Sequence, residues 1–330
     1  MKTKIICTLG PSSYKKKILN KLKKEGVDIF RINLSHTPEN EIENKIKYLK
    51  KNKIKNICID TEGAQVRVTN VEKNIFLKKN KLVKIFCGST KTSKNKIFLF
   101  PHFDLLKIKI NTNIHIGFEN LIVKIVKTSL SKKYLIGCVV KSGYLESRKG
   151  VHIDQKIKLE CLSDKDIYAM KLALKYQINY YAISFVNSYK DILAVKKIIG
   201  KKNKIISKIE TLQAIKDIKK ISNLSDALLI DRGDLSRYIP IEKIPLAQEQ
   251  IIRYSKKINI PVYVATNLLE TMIKKNLPSR AESNDIYSSL EKGAKGLVMA
   301  AETAIGNYPV ECVKFLKRCI FVFKSKKKFL

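Results

Sequence analysis

The order of hydrophobic patterns along the chain constrains its fold more than any other feature. Ile5–Leu9, Ile29–Leu34 and Asn56–Thr61 are short, β-branched and apolar and read as strands. Between them the amphipathic stretches Tyr14–Glu25 and Pro38–Lys51 read as helices. The alternation then stops. From Val68 to Ser147 short β-type runs follow one another with few helix signals, among them Lys81–Phe86, Asn120–Thr128 and Tyr134–Val140. After Arg148-Lys149-Gly150 it resumes. Ser163-Asp164-Lys165-Asp166 predicts a capping box that opens a helix to about Tyr176. Strands are expected at Tyr180–Val186, Lys204–Glu210, Ala227–Arg232, Pro261–Thr266 and Gly296–Ala301. A second capping box, Ser279-Arg280-Ala281-Glu282, starts the helix before the last of these. Eight strands alternating with helices imply an α/β fold, a (β/α)8 TIM barrel rather than an open sheet, with a small inserted β domain after strand three. The expected organisation is barrel over 1–67, inserted β domain over 68–147, and barrel again over 148–330.

Composition removes several alternatives. With 45% hydrophobic residues, 330 residues can bury a large core. No stretch approaches the roughly 18 uninterrupted apolar residues of a membrane span, so no membrane partner is expected. Met1-Lys2-Thr3-Lys4 runs straight into the first strand without a signal-peptide layout, which predicts a cytoplasmic protein. The seven cysteines stand singly, mostly inside apolar runs, and predict reduced thiols rather than disulfides or zinc ligands. A net charge of +37 invites nucleic acid as a partner. Yet only eight of the 66 basic residues are arginine, and lysine, isoleucine and asparagine rise together, as their A/T-only codons would produce. The lysines are spread over the whole chain without a zinc-finger or RRM signature, so nucleic acid is not the expected partner. A homo-oligomer is compatible with the sequence, which carries no signal for or against one.

TIM barrels carry their chemistry at the carboxyl ends of the strands, and polar residues collect there. Strand two closes on Arg31-Ile32-Asn33-Leu34-Ser35-His36 and strand three on Asp60-Thr61-Glu62-Gly63. Later strands close on Ser184, Lys208-Ile209-Glu210, Asp231-Arg232-Gly233-Asp234, Thr266 and Glu302-Thr303. One polar end is ordinary solvent approach, but seven with both charge signs indicate a site. Lys208 and Glu210 are two apart on a strand and face the same way. A lysine beside a carboxylate keeps its charge and suits a developing enolate or phosphoryl oxygen. Glu210 and Asp234, from neighbouring strands, offer the hard oxygens Mg2+ prefers, although a plain Lys–Glu–Asp salt-bridge network would use the same residues. Gly233 lets the backbone approach a ligand. Asn33, Ser35, Asp60 and Thr61 form an oxygen set suited to a weakly held monovalent cation. His102, His115 and His152 read as surface or packing residues of the insertion.

These motifs together resemble the pyruvate kinase family from Lys4 to about Lys317. The likeness rests on Thr3 to Pro11, Arg31 to His36, Asp60 to Gly63, Ser147 to Gly150, Ser184 to Val186, Lys208 to Glu210 and Arg232 to Leu235. Ala265-Thr266, Arg280 to Glu282, Glu302 to Ala304 and Tyr308-Pro309 complete it. The resemblance implies a glycolytic kinase, a transferase moving the phosphoryl group of phosphoenolpyruvate to ADP to give pyruvate and ATP. In that reading Lys208 and Arg31 are catalytic, and Arg31, Gly233, Asp234 and Thr266 bind substrate. Glu210 and Asp234 hold Mg2+ or Mn2+, and Asn33, Ser35, Asp60 and Thr61 hold K+. Arg67 and Lys149 contact the nucleotide, and the inserted β domain closes as a lid.

The departures from that pattern imply a divergent member. The sequence ends shortly after the barrel, which predicts that the family's C-terminal domain and its effector control are missing. Asp231 stands where the family usually has Ala, and Ser236 replaces a Gly. Ala300 and Ala301 replace Ser-Gly, removing a hydroxyl associated with enolate protonation. Glu62, Ala64 and Gln65 replace Lys, Pro and Glu, and the lid turn reads Gly117-Phe118-Glu119-Asn120. Two other readings compete: a metal-dependent enolate lyase or decarboxylase on the same barrel site, and a non-enzymatic ligand-binding paralogue. Arg67 and Lys149 favour the kinase; Ala300 and Asp231 favour the lyase.

Overall fold

A computed structural model of the chain describes residues 2–63, 65–117, 121–155, 157 and 159–325. It divides into two compact units, Met1–Gly63 with Asp164–Leu330, and Ala64–Ser163.

The first unit is a closed barrel of parallel strands: β1 (Lys4–Thr8), β2 (Ile29–Asn33), β3 (Ile57–Asp60), β4 (Tyr180–Ile183), β5 (Lys204–Ile209), β6 (Ala227–Asp231), β7 (Val262–Ala265) and β8 (Gly296–Met299). Every strand pairs with its neighbours in chain order, and β8 closes on β1 through Lys4↔Gly296 to Cys7↔Met299. This is the TIM barrel that the alternation predicts. The observed strands stop slightly short of the expected ones at their carboxyl ends. At β4 the reason is visible, because Ser184 turns its N–H to Thr61 Oγ1 (2.9 Å) and its hydroxyl to the Thr61 carbonyl (2.6 Å).

The helices follow the local chemistry. Lys16–Lys24 buries Leu19 and Leu22 and ends on Lys21, Lys23 and Lys24, whose charges suit a helix C-terminus. Ser279 and Glu282 form the expected capping box on Arg280–Lys292. In the other expected box the acid also acts at long range. Asp166, in the first turn of Asp164–Lys175, is fully buried and accepts from the backbone N–H groups of Glu62 (2.8 Å) and Gly63 (3.1 Å). Its carboxylate ties the end of β3 to the helix that follows the insertion.

Ile6, Ile29, Cys58, Ala182, Ile206, Ala227, Leu229, Tyr263, Ala265 and Val298 form one buried cluster that draws on every strand. Only the lumen of a closed barrel brings all strands together, so these alternate positions face inward. Gly296 shares that face with Val298, and a Cβ there would lie 2.5 Å from Tyr263 Cδ1. The missing side chain makes room for the tyrosine ring. Gly296→Val should overpack this layer at a cost of about 1–3 kcal/mol. Urea unfolding with an unchanged midpoint would show that the ring is not held there.

The second unit is built on a seven-stranded sheet with the order Val151–Ile153, Asn113–Ile116, Leu121–Ser129, Tyr134–Lys141, Leu82–Cys87, Lys96–Phe100, Arg67–Val68. A two-stranded ribbon, Ile75–Leu77 with Gly143–Leu145, accompanies it. Alternation along Leu121–Ser129 and Tyr134–Lys141 sends Val123, Ile125, Leu135 and Val139 into a core of its own. The compact unit reaches beyond the 68–147 read from the sequence. At one end Arg67 pairs with Phe100, and at the other Val151–Ile153 pairs with Asn113–Ile116. His115 and His152 face each other across that last pair and share the carboxylate of Asp154 at 3.0 and 3.4 Å. Ala64 and residues 118–120 of the expected lid turn lie outside the described residues, as does the chain beyond Ser325. Among the described residues no helix is long and apolar enough to cross a membrane.

Candidate active site

The inward-facing positions that are apolar through the barrel turn charged at the carboxyl ends of the strands. Arg31 follows Ile29 by two, Asp60 follows Cys58, Ser184 follows Ala182, Lys208 and Glu210 continue from Ile206, and Asp231 follows Leu229. Strand periodicity therefore carries side chains from five strands into one buried cluster.

Lys208 is its centre. Its ammonium lies 2.7 Å from Glu210 Oε1, 3.5 Å from Asp60 Oδ1 and 3.5 Å from Asp231 Oδ2, and it donates to Ser184 Oγ at 3.0 Å. Lys208 is 5% exposed and Glu210 fully buried. Burial alone would neutralise the lysine, but the charges of Asp60, Glu210 and Asp231 outweigh it and raise its pKa above the usual value. Burial pushes Glu210 up to about 8, with Lys208 opposing the rise and Asp234 and Asp231 adding to it. Asp231 is lowered despite burial, chiefly by Lys208 and by the Thr266 hydroxyl 2.6 Å from Oδ1.

Arg31 is equally constrained. Its Nε and Nη2 donate to Thr8 Oγ1 at 2.8 and 2.6 Å, and Nη1 stands 3.1 Å from Asp60 Oδ2. Thr8 donates in turn to the Met299 carbonyl at 2.8 Å. Asp60 thus bridges the two cations, and Ser184 and Thr8 brace them. The strand-end pattern picks out Ser184 without showing its bond to Lys208. Thr8 shares the inward face with Ile6, which was the available sign of its position.

The polar residues after β6 and β7 interlock. Arg232 grips both oxygens of Asp285 (2.9 and 2.7 Å) and the carbonyls of Ala265 and Thr266. Asp285 carries no local sequence signal, because its partner lies 53 residues away. A Cβ on Gly233 would meet Thr266 Cγ2 at 2.9 Å, so the bare α-carbon permits this packing. Thr266 and Phe185 both sit in the left-handed region (φ 77° and 51°), which is costly for their side chains. Each is held by a site carboxylate, Thr266 through Asp231 and Phe185 through its N–H to Glu210 Oε2 at 2.6 Å.

Glu210, Asp231 and Asp234 bring carboxylate oxygens within 4.8 Å of one another. Glu210 Oε1 is buried, with the Lys208 ammonium beside it at 2.7 Å. Three hard oxygen donors, that of Glu210 fully buried, suit Mg2+ or Mn2+. Asn33 and Asp60 are paired across β2 and β3, beside Ser35 and Thr61. Asp60 Oδ2 faces Arg31 Nη1 at 3.1 Å, whereas Asn33 Oδ1 takes the Ser35 N–H and Thr61 Oγ1 the Ser184 N–H. These oxygens suit a cation of low charge density. Glu62 pairs with Lys165 at 3.1 Å, and Lys165 also donates to the Leu34 carbonyl at 2.6 Å.

Arg67 and Lys149 belong to the second unit. Arg67 opens a strand and Lys149 lies just before one, with Val68 N–H bonded to the Lys149 carbonyl and Arg67 Nη1 donating to the Arg148 carbonyl at 3.2 Å. Lys149 pairs with Glu146 at 3.0 Å. Glu302 and Thr303 are buried struts: Glu302 accepts from the N–H groups of Leu269 and Ala300, and Thr303 donates to the Thr8 carbonyl. The described cysteines are free thiols, and burial raises Cys58 to about 12.

A closed eight-stranded parallel barrel, interrupted after its third strand and carrying a buried lysine–carboxylate cluster at its carboxyl ends, defines the class as an inserted TIM barrel. A family model, pyruvate kinase, barrel domain, matches residues 1–313. A pyruvate kinase of Thermotoga maritima is 34% identical over 99% of this chain and 72% of its own length. Pyruvate kinases of Staphylococcus epidermidis and Staphylococcus haemolyticus are 30% and 31% identical over 96% of the chain. The chain spans 56% of each of these two proteins. It belongs to the pyruvate kinase family.

Removing Lys208 would strand two buried carboxylates, Asp60 and Glu210, and the partly buried Asp231. In EDTA, Lys208→Met should lose about 3–5 kcal/mol of stability at pH 8.5. Glu210 already has a folded pKa above its unfolded one, so its contribution is present at low pH and lost as pH rises through about 8. Without Lys208 that pKa rises further, and the deficit should be smaller at pH 5. Equal unfolding midpoints for the two proteins at both pH values would show that the cluster does not depend on this charge.

Proposed function

We propose that this chain transfers the phosphoryl group of phosphoenolpyruvate to ADP, forming pyruvate and ATP in the cytoplasm. The observation that carries the reading is the buried Lys208 ammonium, held among Glu210, Asp60, Asp231 and Ser184 at the mouth of the barrel. A preorganised positive charge of this kind is what the leaving enolate oxygen requires as it gains negative charge. Family membership and relatives named pyruvate kinase over nearly the whole chain support the same reading. The free thiols fit a reducing compartment.

Each residue then has a task. Lys208 stabilises charge on the bridging and enolate oxygens. Arg31, immobilised by Thr8 and Asp60, binds the phosphate. The backbone at Gly233 and the Thr266 hydroxyl border the carboxylate end of the substrate. Glu210 and Asp234 hold Mg2+ or Mn2+, which supplies positive charge to phosphoryl oxygens when bound. Asn33, Ser35, Asp60 and Thr61 hold K+. Arg67 and Lys149, side by side in the insertion, bind the nucleotide phosphates.

A coupled assay with phosphoenolpyruvate, ADP, Mg2+ and K+ tests the reading. Turnover is expected, with loss in EDTA and a fall when tetramethylammonium replaces K+. Lys208→Met should cut the rate per folded molecule by at least about 10²–10³, because its contact strengthens in the transition state. Folded Lys208→Met protein with wild-type turnover would mean that the centre lies elsewhere. No pyruvate from folded wild-type protein with both ions present would end the kinase reading.

A further inference from the structure

We propose that Asp231 is a third carboxylate ligand of the divalent-cation site, so that this chain binds the ion from its own side chains before any substrate arrives. The proposal rests on the reading of Glu210 and Asp234 as metal ligands and goes beyond it. Asp231 ends β6 on the inward face, and its carboxylate lies within 4.8 Å of those of Glu210 and Asp234. Its Oδ1 is oriented by the Thr266 hydroxyl at 2.6 Å, while Oδ2 stands 3.5 Å from Lys208 Nζ. It is therefore aimed by a neighbour in the way ligand carboxylates usually are.

The charges facing one another leave room for a cation. Arg31 faces Asp60, and Arg237 faces Asp234 at 3.4 Å. Among the described residues Lys208 is the ammonium set against Glu210 and Asp231, and it faces Asp60 as well. Burying that surplus negative charge is costly without a further cation. The fully buried Glu210 sets Oε1 against the Lys208 ammonium at 2.7 Å, and that single charge is shared with Asp60 and Asp231. Two carboxylates balance a divalent ion, and a third attracts the free ion more strongly while leaving coordination places for water and substrate oxygens.

The test is Mn2+ binding to the full chain without substrate, followed by the paramagnetic resonance signal of free Mn2+. Wild type should bind the ion, and Asp231→Ala and the near-isosteric Asp231→Asn should each weaken binding at least about tenfold, since even outer-shell partners act on that scale. Circular dichroism of the variants should be unchanged; if Asp231→Ala does not fold, Asp231→Asn decides. Wild-type affinity in the Asp231 variants, with binding lost in Glu210→Gln, overturns the proposal but leaves the metal reading intact, and Asp231 then serves only to hold Thr266. Binding by wild type that appears only after phosphoenolpyruvate is added overturns it in the same way. No binding by wild type with or without phosphoenolpyruvate overturns both.

Discussion

The positive charge of Lys208 is the interaction on which the rest of the site depends. Asp60, Glu210 and Asp231 come from β3, β5 and β6, and none could be buried at the barrel mouth without a counter-charge. The lysine, in turn, could not stay charged in the lumen without them. Each partner makes the other's burial tolerable, and both need barrel closure to meet. The apolar layers below supply that closure, with Tyr263 filling the space left by Gly296.

Around this pair the backbone is bent into conformations that the chain would not choose alone. Phe185, Thr266 and Asn267 all have positive φ, and Phe185 and Thr266 bond to Glu210 and Asp231. The acids of the cluster therefore shape the loops as well as the electrostatics. Buried carboxylates farther out continue the pattern, Asp166 fixing the end of β3 and Glu302 linking the ends of β7 and β8. Such struts keep loop segments at the precision a reacting site needs.

How much of this was legible follows from the range of each interaction. Strand positions were readable because alternation is local, and Lys208 with Glu210 was readable because two-residue spacing guarantees a common face. Gathering Arg31 and Asp60 into the same cluster required only the assumption that the barrel closes. What stayed hidden acts between distant segments. Asp166 reads from sequence as a capping residue alone, because Glu62 and Gly63, whose N–H groups it also holds, lie across the insertion. Asp285 and Thr8 gave no local sign of holding Arg232 and Arg31. The compact unit extends past the β-type runs legible in the sequence, since Val151–Ile153 is only three residues long and pairs with Asn113–Ile116. Asp60 was assigned to a monovalent cation alone, whereas its carboxylate also joins the two buried cations.

The contrast between arginine and lysine separates composition from chemistry. A chain with 66 basic residues uses arginine at only eight of them. Arg31 directs two nitrogens at Thr8 and a third at Asp60, and Arg232 clamps both oxygens of Asp285 while reaching two carbonyls. Arg148 lies over the Phe100 ring and donates to Asn70 at 3.0 Å. These contacts need a planar fork with donors in fixed directions, which a single ammonium does not offer. Lysine serves wherever a solvated charge is sufficient, and so the large net charge says little about partners. Lys208 is the exception that fits the same rule. Its task is a compact charge at one point, reached from a strand along a narrow lumen, and there an ammonium on a flexible stem is the better group.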